Sequence, residues 1–560
     1  METGSESILY YIDELKADEL NTRLYAINSL DLIASAIGEE KTRNELVPYT
    51  NELLEDENEE VLLALASKLG ELYKYIGPIE YIPCLLSPLA TLCSSEELCV
   101  QNKAINSFFI VSGQIPVADR VSLLTPILNS LSNSSWCSGR VAACSLFFIV
   151  FQELDPSEQE TMLDLFIKLG CDESPAVRKA SASNLGNLFK TLPSEKLRRL
   201  FRNLIEDENE GVKQMTMGCA DQIIGNGEEL VLIMQKFAVD KSWRIRYVLL
   251  ENIGKFAEKI ESFKPLMKEI LGLLKDSEAE VRALAIAQLG ILLNKLPKNA
   301  INEVLPCFEG LSQDSSFHVR LSLLQTLCKI GKFVDYQVSI QKVFPLINNL
   351  IRDENFEVRM GFAENFALFN QNISDKCVVS FSIPIIMQMM NDPRWRIRLK
   401  IVESLPSVAS ILGSVQFTEQ ISAPLMKWVE DPAFGVRQAT IQSIFTIANS
   451  FGRDWTRLHI LPLIVMLVNS PVFSKRMTAL KAINQLIGLF EYGECSGFLQ
   501  ILACDRIPNI RFNVMKTIKN MAKLYSVQSD LVRVVERLKG DLDSDVRFYA
   551  NETAEALNKI

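Results

Sequence analysis

The chain is poor in the residues that most catalytic and metal-binding sites need. Its 560 residues include only two histidines, His318 and His459, and its 12 cysteines are scattered without a Cys-x-x-Cys pair. It also lacks a Gly-rich phosphate loop, a His-Glu-x-x-His segment and a Gly-x-Ser-x-Gly segment. His318 stands in a polar turn, where a solvated side chain is more usual than a ligand. We therefore predict that the protein is not an enzyme and holds no metal or cofactor.

Other features are scarce as well. The formal charge of −11 disfavours a nucleic-acid partner, because binding a polyanion requires a basic surface. No apolar run reaches the roughly 18–20 residues of a membrane span, and the first residues do not form a signal peptide. Unpatterned cysteines predict buried thiols in a reducing compartment, so we expect a cytosolic or nuclear protein. With 48% apolar residues and only 25 Gly and 21 Pro, the chain has ample material for a folded core.

What the chain does contain is an internal repeat. The segment "DKSWRIRY" (240–247) returns as "DPRWRIRL" (392–399). Aligning on the last Arg of these segments yields fifteen anchor positions, which number the repeats 1 to 15: Arg23, Leu62, Gln101, Arg140, Arg178, Lys213, Arg246, Arg282, Arg320, Arg359, Arg398, Arg437, Arg476, Arg511 and Arg547. From Arg320 to Arg476 every step is 39 residues, a period typical of stacked helical units.

Three further positions keep this register. Val or Ile usually stands immediately before the anchor, and an Asp stands six residues before it in eleven repeats. A proline stands fourteen residues before the anchor in six repeats, where it is compatible with the first turns of a helix or with a kink. These prolines are Pro48, Pro126, Pro306, Pro345, Pro384 and Pro462.

Each repeat has the apolar spacing of two amphipathic helices. In repeat 8, apolar residues at helical spacing precede and follow the polar turn "KDSEAE" (275–280): Leu266, Ile270, Leu273 and Leu274, then Val281, Leu284, Ala285, Leu289 and Leu292. The recurring Asp indicates the start of the second helix. A unit this short buries its apolar face only by stacking on its neighbours. We therefore predict an all-α, right-handed solenoid of about fifteen repeats.

The anchor Arg lies in the first turn of the second helix, where the helix dipole disfavours a cation by roughly 0.3–1 kcal/mol. A nearby anion must compensate this charge. The Asp of the same or an adjacent repeat is the obvious candidate, and stacked repeats would then form a ladder of alternating Asp and Arg. We interpret these two recurring positions as structural.

Large aromatic residues at the turns are the candidates for partner binding. They are Trp136, Trp243, Phe317, Phe356, Trp395, Phe434 and Phe473. For Trp136 and Phe317 we favour a structural role in which the ring folds back between helix pairs. For Trp243–Arg244 and Trp395–Arg396 we favour contact with a partner, because Trp and Arg dominate interface hot spots. By contrast, Trp428 and Trp455 fit the first-helix pattern and are predicted to lie in the core.

The repeat pattern resembles HEAT repeats. More specific segments resemble the scaffolding A subunits of the type 2A serine/threonine protein phosphatase. They extend along the whole chain and include "EEVLLALASKLGEL" (59–72), "SPAVRKASASNLG" (174–186), "WRIRLKIVESLP" (395–406), "FGRDW" (451–455) and "NIRFNVMKTI" (509–518). This resemblance implies a non-catalytic, horseshoe-shaped scaffold formed by one continuous solenoid over residues 1–560.

The resemblance also implies two partners. Residues 380–560 would hold the phosphatase catalytic subunit through Trp395, Arg396, Phe434, Phe473, Asn509 and Arg511. Residues 20–300 would hold one of several interchangeable regulatory B-type subunits through Pro175, Lys179, Trp243 and Arg244. The family favours Arg at position 179, and Lys cannot form the same bidentate contact. The expected assembly is a heterotrimer rather than a homo-oligomer.

Two other kinds of HEAT scaffold stay open at this point, a nuclear transport receptor and a chromosome-organising subunit. Both are usually longer, and neither predicts Trp-Arg turns at two set places. An enzyme built on helical repeats would need repeated His-Glu pairs, which two histidines exclude. A nucleic-acid-binding solenoid would need basic turns, whereas these turns are acidic.

Overall fold

The computed structural model describes residues 14–151, 153–296, 300–373 and 378–559. The described residues form two compact units that divide between Glu261 and Ser262. Within the described ranges the chain is helical and has no β-strand. The predicted all-α solenoid of HEAT repeats is thus confirmed.

The N-terminal unit is a succession of short helices joined by turns. Its elements are Leu20–Asn28, Leu30–Ile37, Glu39–Lys41, Thr42–Leu46 (π), Val47–Thr50, Glu52–Glu55 (3₁₀), Glu59–Leu69, Leu72–Tyr75 (3₁₀), Ile79–Leu85 (3₁₀), Leu86–Cys93, Leu98–Gly113, Val117–Ser132, Cys137–Leu146, Phe148–Phe151, Pro156–Gly170, Pro175–Thr191, Glu195–Leu204, Glu210–Met217, Ala220–Ile223, Gly227–Ala238 and Trp243–Ala257.

The C-terminal unit continues in the same manner. Its elements are Lys264–Leu266 (3₁₀), Met267–Leu273, Ala279–Leu292, Ala300–Leu311, Phe317–Ile330, Gly331–Phe333 (3₁₀), Tyr336–Val338, Ser339–Val343 (π), Phe344–Leu350, Phe356–Asn372, Val378–Ser382 (π), Ile383–Met389, Trp395–Val429, Phe434–Phe451, Arg453–His459, Leu461–Val468, Phe473–Leu486, Ile487–Leu489 (3₁₀), Tyr492–Leu502, Pro508–Met521, Ser529–Leu538 and Ser544–Lys559. The segment Trp395–Val429 is two helices, because Gly413 interrupts it with φ 72° and ψ 171°.

The recurring prolines explain the irregular first helices. Pro48, Pro345 and Pro384 each occupy the second position of a short α-helix. A wider π turn ends two residues before each of these prolines. Because proline has no N–H and its ring obstructs the preceding turn, the regular α-helical hydrogen bonding is interrupted at these three points. Pro126 and Pro306, by contrast, lie within the α-helices Val117–Ser132 and Ala300–Leu311, so the recurring proline does not always change the winding of the first helix.

The apolar pattern packs as predicted. The apolar residues predicted to form the core of repeat 8 are all buried, except Leu284, which is half-buried. Trp428 is fully buried and Trp455 nearly so, which confirms their core assignment. The indole Nε1–H of Trp455 donates to Thr418 Oγ1 at 2.8 Å.

The cysteine prediction is only half right. Cys93, Cys144, Cys219, Cys328 and Cys495 are buried, and burial raises the pKa of the Cys93 thiol to about 12. Five others are exposed free thiols: Cys84, Cys99, Cys137, Cys171 and Cys504. Lack of a spacing pattern excluded metal pairs, but it contained no information on the exposure of each thiol.

Candidate functional site

The turns between paired helices form the surface on which the sequence placed its candidate binding residues. In each of the eleven repeats that carry the recurring Asp, its Oδ1 accepts the backbone N–H two residues later at 2.8–3.0 Å. The predicted helix-start role is therefore wrong in detail. The Asp closes the turn, and the cap of the following helix lies two residues further on, as at Asn355.

The anchor Arg bridges two repeats. Arg178 donates from Nη1 to the backbone oxygens of Asp172 and Glu173 in its own turn, at 2.9 and 3.0 Å. Its Nε and Nη2 donate to the two carboxylate oxygens of Asp207 in the next repeat, at 2.6 and 3.0 Å. One side chain thus fixes its own turn and ties it to the next.

This contact recurs and confirms the predicted ladder. In the N-terminal unit the rungs are Arg23–Asp56, Arg140–Asp172, Arg178–Asp207 and a longer Lys213–Asp240 pair. In the C-terminal unit they are Arg282–Asp314, Arg320–Asp353, Arg359–Asp392, Arg398–Asp431, Arg476–Asp505 and Arg511–Asp541. The recurring Asp and Arg therefore have a structural role.

The ladder makes the stability of the fold depend on pH. Burial works to raise the pKa of Asp172, but the hydrogen bonds from Arg140 and from the backbone N–H of Ser174 hold that pKa below its usual value. The pKa values of Asp207, Asp314 and Asp505 are shifted in the same direction. A carboxylate whose pKa is lower in the folded than in the unfolded chain stabilises the fold above about pH 4. That stabilisation is lost as the pH falls through the folded pKa.

We therefore expect the urea midpoint of unfolding to fall steeply below about pH 4. The variant Asp172→Asn should show a flatter profile than the wild type, because one shifted carboxylate is gone. The variant Glu173→Gln is the control, since Glu173 lies 3.8 Å from the same Arg140 but its side chain is 92% exposed. If the two variants have equal profiles, the rungs do not set the acid response.

The aromatic tips occupy a common place in this frame. Trp243, Phe356, Trp395, Phe434 and Phe473 are each the first residue of their helix, three residues before the anchor Arg. Phe317 holds the same place before Arg320, but it is half-buried, as is Trp243. Trp395 remains 41% exposed and Phe434 55% exposed.

Trp395 is partly exposed and also packs against the next repeat. A methyl group added to Gly435 of the next repeat would lie 3.2 Å from the indole Cζ3, so the ring rests directly on that glycine. The guanidinium of Arg396 lies 5.1 Å from the ring centre on the outer side. The ring therefore packs against Gly435 of repeat 12 and leaves part of its surface exposed. Its contact with a partner stays a prediction.

Trp243 has a similar arrangement with less exposure. Its ring meets Tyr247 edge to face at 6.3 Å, and Arg244 lies 5.1 Å from the ring centre. Trp243 is half-buried, whereas Arg244 is exposed. Both Trp-Arg pairs thus present a cation beside an aromatic face, a geometry that stabilises through cation–π attraction.

Two other tips are covered by cations from the following repeat. The guanidinium of Arg394 lies 5.1 Å from the ring centre of Phe356. The Nζ atom of Lys481 lies 4.1 Å from the ring centre of Phe434. Each of these two rings therefore has a cation against it, although the chain as a whole is acidic.

The remaining predicted site residues also lie at the starts of the second helices of their repeats but differ in exposure and pairing. Pro175 and Lys179 are exposed at the start of Pro175–Thr191, and Asn509 is exposed at the start of Pro508–Met521. Arg511 is a rung, since both its Nε and its Nη2 lie 2.7 Å from Asp541. Its charge is compensated within the chain, so a partner could use it only as a secondary contact.

The fold-back interpretation is wrong for Trp136. The residue precedes the helix Cys137–Leu146 and is 66% exposed. Leu98, the first residue of the preceding repeat's second helix, is also exposed. Phe317 is half-buried with its ring 3.9 Å from that of exposed His318, so it fits the structural interpretation better. Trp136 and Leu98 both stand at the tip of a turn, and this place could have predicted their exposure. The neighbouring serines obscured it in the sequence.

The described residues lack two further features. They contain no group of three or more His, Cys, Asp or Glu side chains that could hold a metal ion. They also contain no helix long and apolar enough to cross a membrane.

Curated proteins from several organisms match parts of the chain. It is 30% identical over 280 residues to the regulatory A subunit of protein phosphatase PP2A from Saccharomyces cerevisiae, covering 46% of this chain and 44% of the yeast protein. It is 39% identical over 187 residues to the alpha isoform of the 65 kDa regulatory A subunit of serine/threonine-protein phosphatase 2A from Arabidopsis thaliana, covering 33% and 32%. It is 36% identical over 191 residues to the protein phosphatase 2A scaffold subunit of Dictyostelium discoideum, covering 34% and 33%.

The chain is a relative of the phosphatase 2A regulatory A subunits. It spans less than half the length of each of these three proteins.

Two family models match this chain. One is the HEAT repeat, at residues 162–192, which covers much of repeat 5. The other is described as the PIK3R4-like middle domain, at residues 228–488. The HEAT match agrees with the two-helix repeat seen in the structure.

Solved structures resemble this chain in fold. A crystal structure of importin beta has a TM-score of 0.56 at 13% identity, covering 100% of this chain and 83% of that chain. A crystal structure of Kap121p has a TM-score of 0.54 at 14% identity, covering 100% and 71%. At such low identity the likeness shows a helical solenoid and nothing about partners.

Proposed function

We propose that the chain is a non-catalytic scaffold that assembles a phosphatase 2A holoenzyme. The observation that carries the proposal is its relation to proteins named regulatory A or scaffold subunits of that phosphatase. Its turns suit such a role, because they present exposed aromatic and Arg side chains beside the rungs that fix each turn. Side chains held in place before binding lower the entropy that binding must overcome.

Within this proposal the two Trp-Arg pairs serve two partners. The aromatic tips at Trp395, Phe434 and Phe473, together with Arg396, Asn509 and Arg511, would contact the catalytic subunit within residues 380–560. The pair Trp243–Arg244, with Pro175 and Lys179, would contact a regulatory B-type subunit within residues 20–300. The product would be a heterotrimer in the cytoplasm or the nucleus.

The test is binding of purified partners to three double variants of the full chain. We expect Trp395→Ala/Arg396→Ala to weaken the affinity for the catalytic subunit of phosphatase 2A by about 30-fold or more, since hot-spot truncations cost roughly 2 kcal/mol. We expect Trp243→Ala/Arg244→Ala to weaken only the binding of a regulatory B-type protein. Phe317→Ala/His318→Ala is the matched control, because this tip lies between the two predicted ranges and should leave both affinities unchanged.

Surface plasmon resonance would measure the affinities, and far-UV circular dichroism would check that each variant is folded. If the wild-type chain binds neither partner, the scaffold proposal is wrong. If the wild type binds both but the Trp-Arg variants also bind normally, the scaffold role stands and the assignment of these residues fails.

A further inference from the structure

The rungs of the ladder are not present in every repeat. Ser stands in place of the recurring Asp at three positions, Ser95, Ser134 and Ser470. In the first two cases the facing anchor has changed as well, to Leu62 and Gln101. The amide of Gln101 is buried and donates to the backbone oxygens of Cys93 and Ser138, both at 3.0 Å. At Ser95 and Ser134, therefore, the loss of the carboxylate does not leave an unpaired cation.

The gap at Ser470 is different, because its facing anchor is still an arginine. Nη1 of Arg437 donates to the backbone oxygens of Asp431 and Pro432 at 2.6 and 2.9 Å, just as Nη1 of Arg178 binds its own turn. Its Nε is buried and has no acceptor among the described residues. Ser470 Oγ accepts the backbone N–H of Val472 at 3.2 Å, so it replaces Asp in closing the turn but supplies no charge.

The surroundings add positive charge rather than neutralise it. Nζ of Lys481 lies over the ring of Phe434, and the guanidinium of Arg437 lies 5.8 Å from the centre of the same ring. Burial, and then the charge of Arg437, lower the pKa of the Lys481 ammonium. Glu430 pairs with Lys475 at 2.8 Å and forms no ion pair with Arg437 within the described chain. The gap is thus a half-buried pair of cations without an anion.

An uncompensated guanidinium in such a place is costly, whereas a bidentate carboxylate would satisfy it. The neighbouring rung shows the geometry, since Asp431 accepts Nε and Nη2 of Arg398 at 2.7 and 2.9 Å. Arg437 stands three residues after the exposed tip Phe434, and Ser470 stands three residues before the exposed tip Phe473, so a partner docked on both tips would reach the gap.

We propose that the gap between Arg437 and Ser470 is a carboxylate-binding site that an Asp or Glu side chain of the phosphatase catalytic subunit fills on assembly. This proposal rests on the proposed scaffold function and adds the chemistry of one contact. The partner's side chain completes the ladder from outside, in the place that an Asp of the chain itself occupies in the neighbouring repeats.

The variant Ser470→Asp tests this directly, because it supplies the missing carboxylate from within the chain. We expect it to raise the thermal midpoint of unfolding by completing the rung. We also expect it to weaken the affinity for the catalytic subunit of phosphatase 2A by about tenfold, since it occupies the site and repels the incoming carboxylate. Ser470→Asn is the matched control, because Asn has nearly the same size as the Asp of the test variant but no charge. It should bind the catalytic subunit within about twofold of the wild type. That change is well below the expected tenfold loss, which corresponds to about 1.4 kcal/mol.

A second variant, Arg437→Gln, removes the cation and should also weaken binding about tenfold. Arg282→Gln is its structural control, because it deletes a complete rung outside the predicted catalytic-subunit range and should not affect binding. If the wild type binds and Ser470→Asp or Arg437→Gln binds equally well, the gap proposal is overturned and the scaffold proposal stands. Equal losses for Ser470→Asp and Ser470→Asn also overturn it. If the wild type does not bind the catalytic subunit, both proposals fail together.

Discussion

Replacing Asp353 by Asn should destabilise the C-terminal unit by about 3 kcal/mol, since removing one partner of a buried ion pair leaves the other charge unpaired. The side chains of Arg320 and Asp353 are only 11% and 7% exposed. The Asn can still accept the backbone N–H of Asn355, which bonds to Asp353 at 2.8 Å. The loss therefore isolates the charge of the rung. It would be measured by urea unfolding followed by far-UV circular dichroism.

The adjacent residue provides the control for this prediction. Glu354 lies 3.9 Å from Nη2 of the same Arg320, but its side chain is 92% exposed. Because exposed ion pairs contribute under about 1 kcal/mol, Glu354→Gln should leave the unfolding curve almost unchanged. Equal effects of the two variants would show that the rung is no stronger than a surface ion pair.

Replacing Phe362 by Ala should cost about 3–5 kcal/mol, the range found for buried aromatic side chains that are truncated to Ala. Phe362 is fully buried, and its ring centre lies 5.5 Å from those of Phe366 and Phe369. The three rings come from one helix, Phe356–Asn372, so the cavity cannot close without moving that helix. Hydrogen exchange of the amides of this helix would report the loss as faster opening.

Phe356→Ala is the same chemical change in the same helix, at its exposed first residue. We expect a loss below about 1 kcal/mol, mainly from the cation–π contact with Arg394. If the two variants accelerate exchange equally, the assignment of Phe362 to the core and of Phe356 to the surface is wrong.

Periodicity explains why so much of this fold was predictable. The helix pair of repeat 8 and the core positions of Trp428 and Trp455 follow from apolar spacing, which the stacked repeats reinforce. The Asp–Arg ladder was predictable for a different reason. A cation at a helix N-terminus is unfavourable alone, so its recurrence in register with an Asp indicated a pair.

What the sequence did not predict depends on single positions. The recurring Asp lies two residues before the helix cap, a distinction that only the turn geometry decides. Trp136 is exposed because it stands at the cap itself, one position before the first residue of its helix. The gap at Ser470 was visible in the alignment of repeats, but its meaning required the orphaned Nε of Arg437.

The rungs also bear on how such a gene can change length. Each complete repeat offers an Asp to the repeat before it and an Arg to the repeat after it, so one junction is interchangeable with another. Deleting residues 314–352 in frame would remove one 39-residue period and bring Asp353 into the place of Asp314, opposite Arg282. Recombination that removes or adds a whole period could therefore shorten or lengthen the array without stranding a charge, whereas a deletion that is not a whole number of periods would leave an Arg or an Asp unpaired.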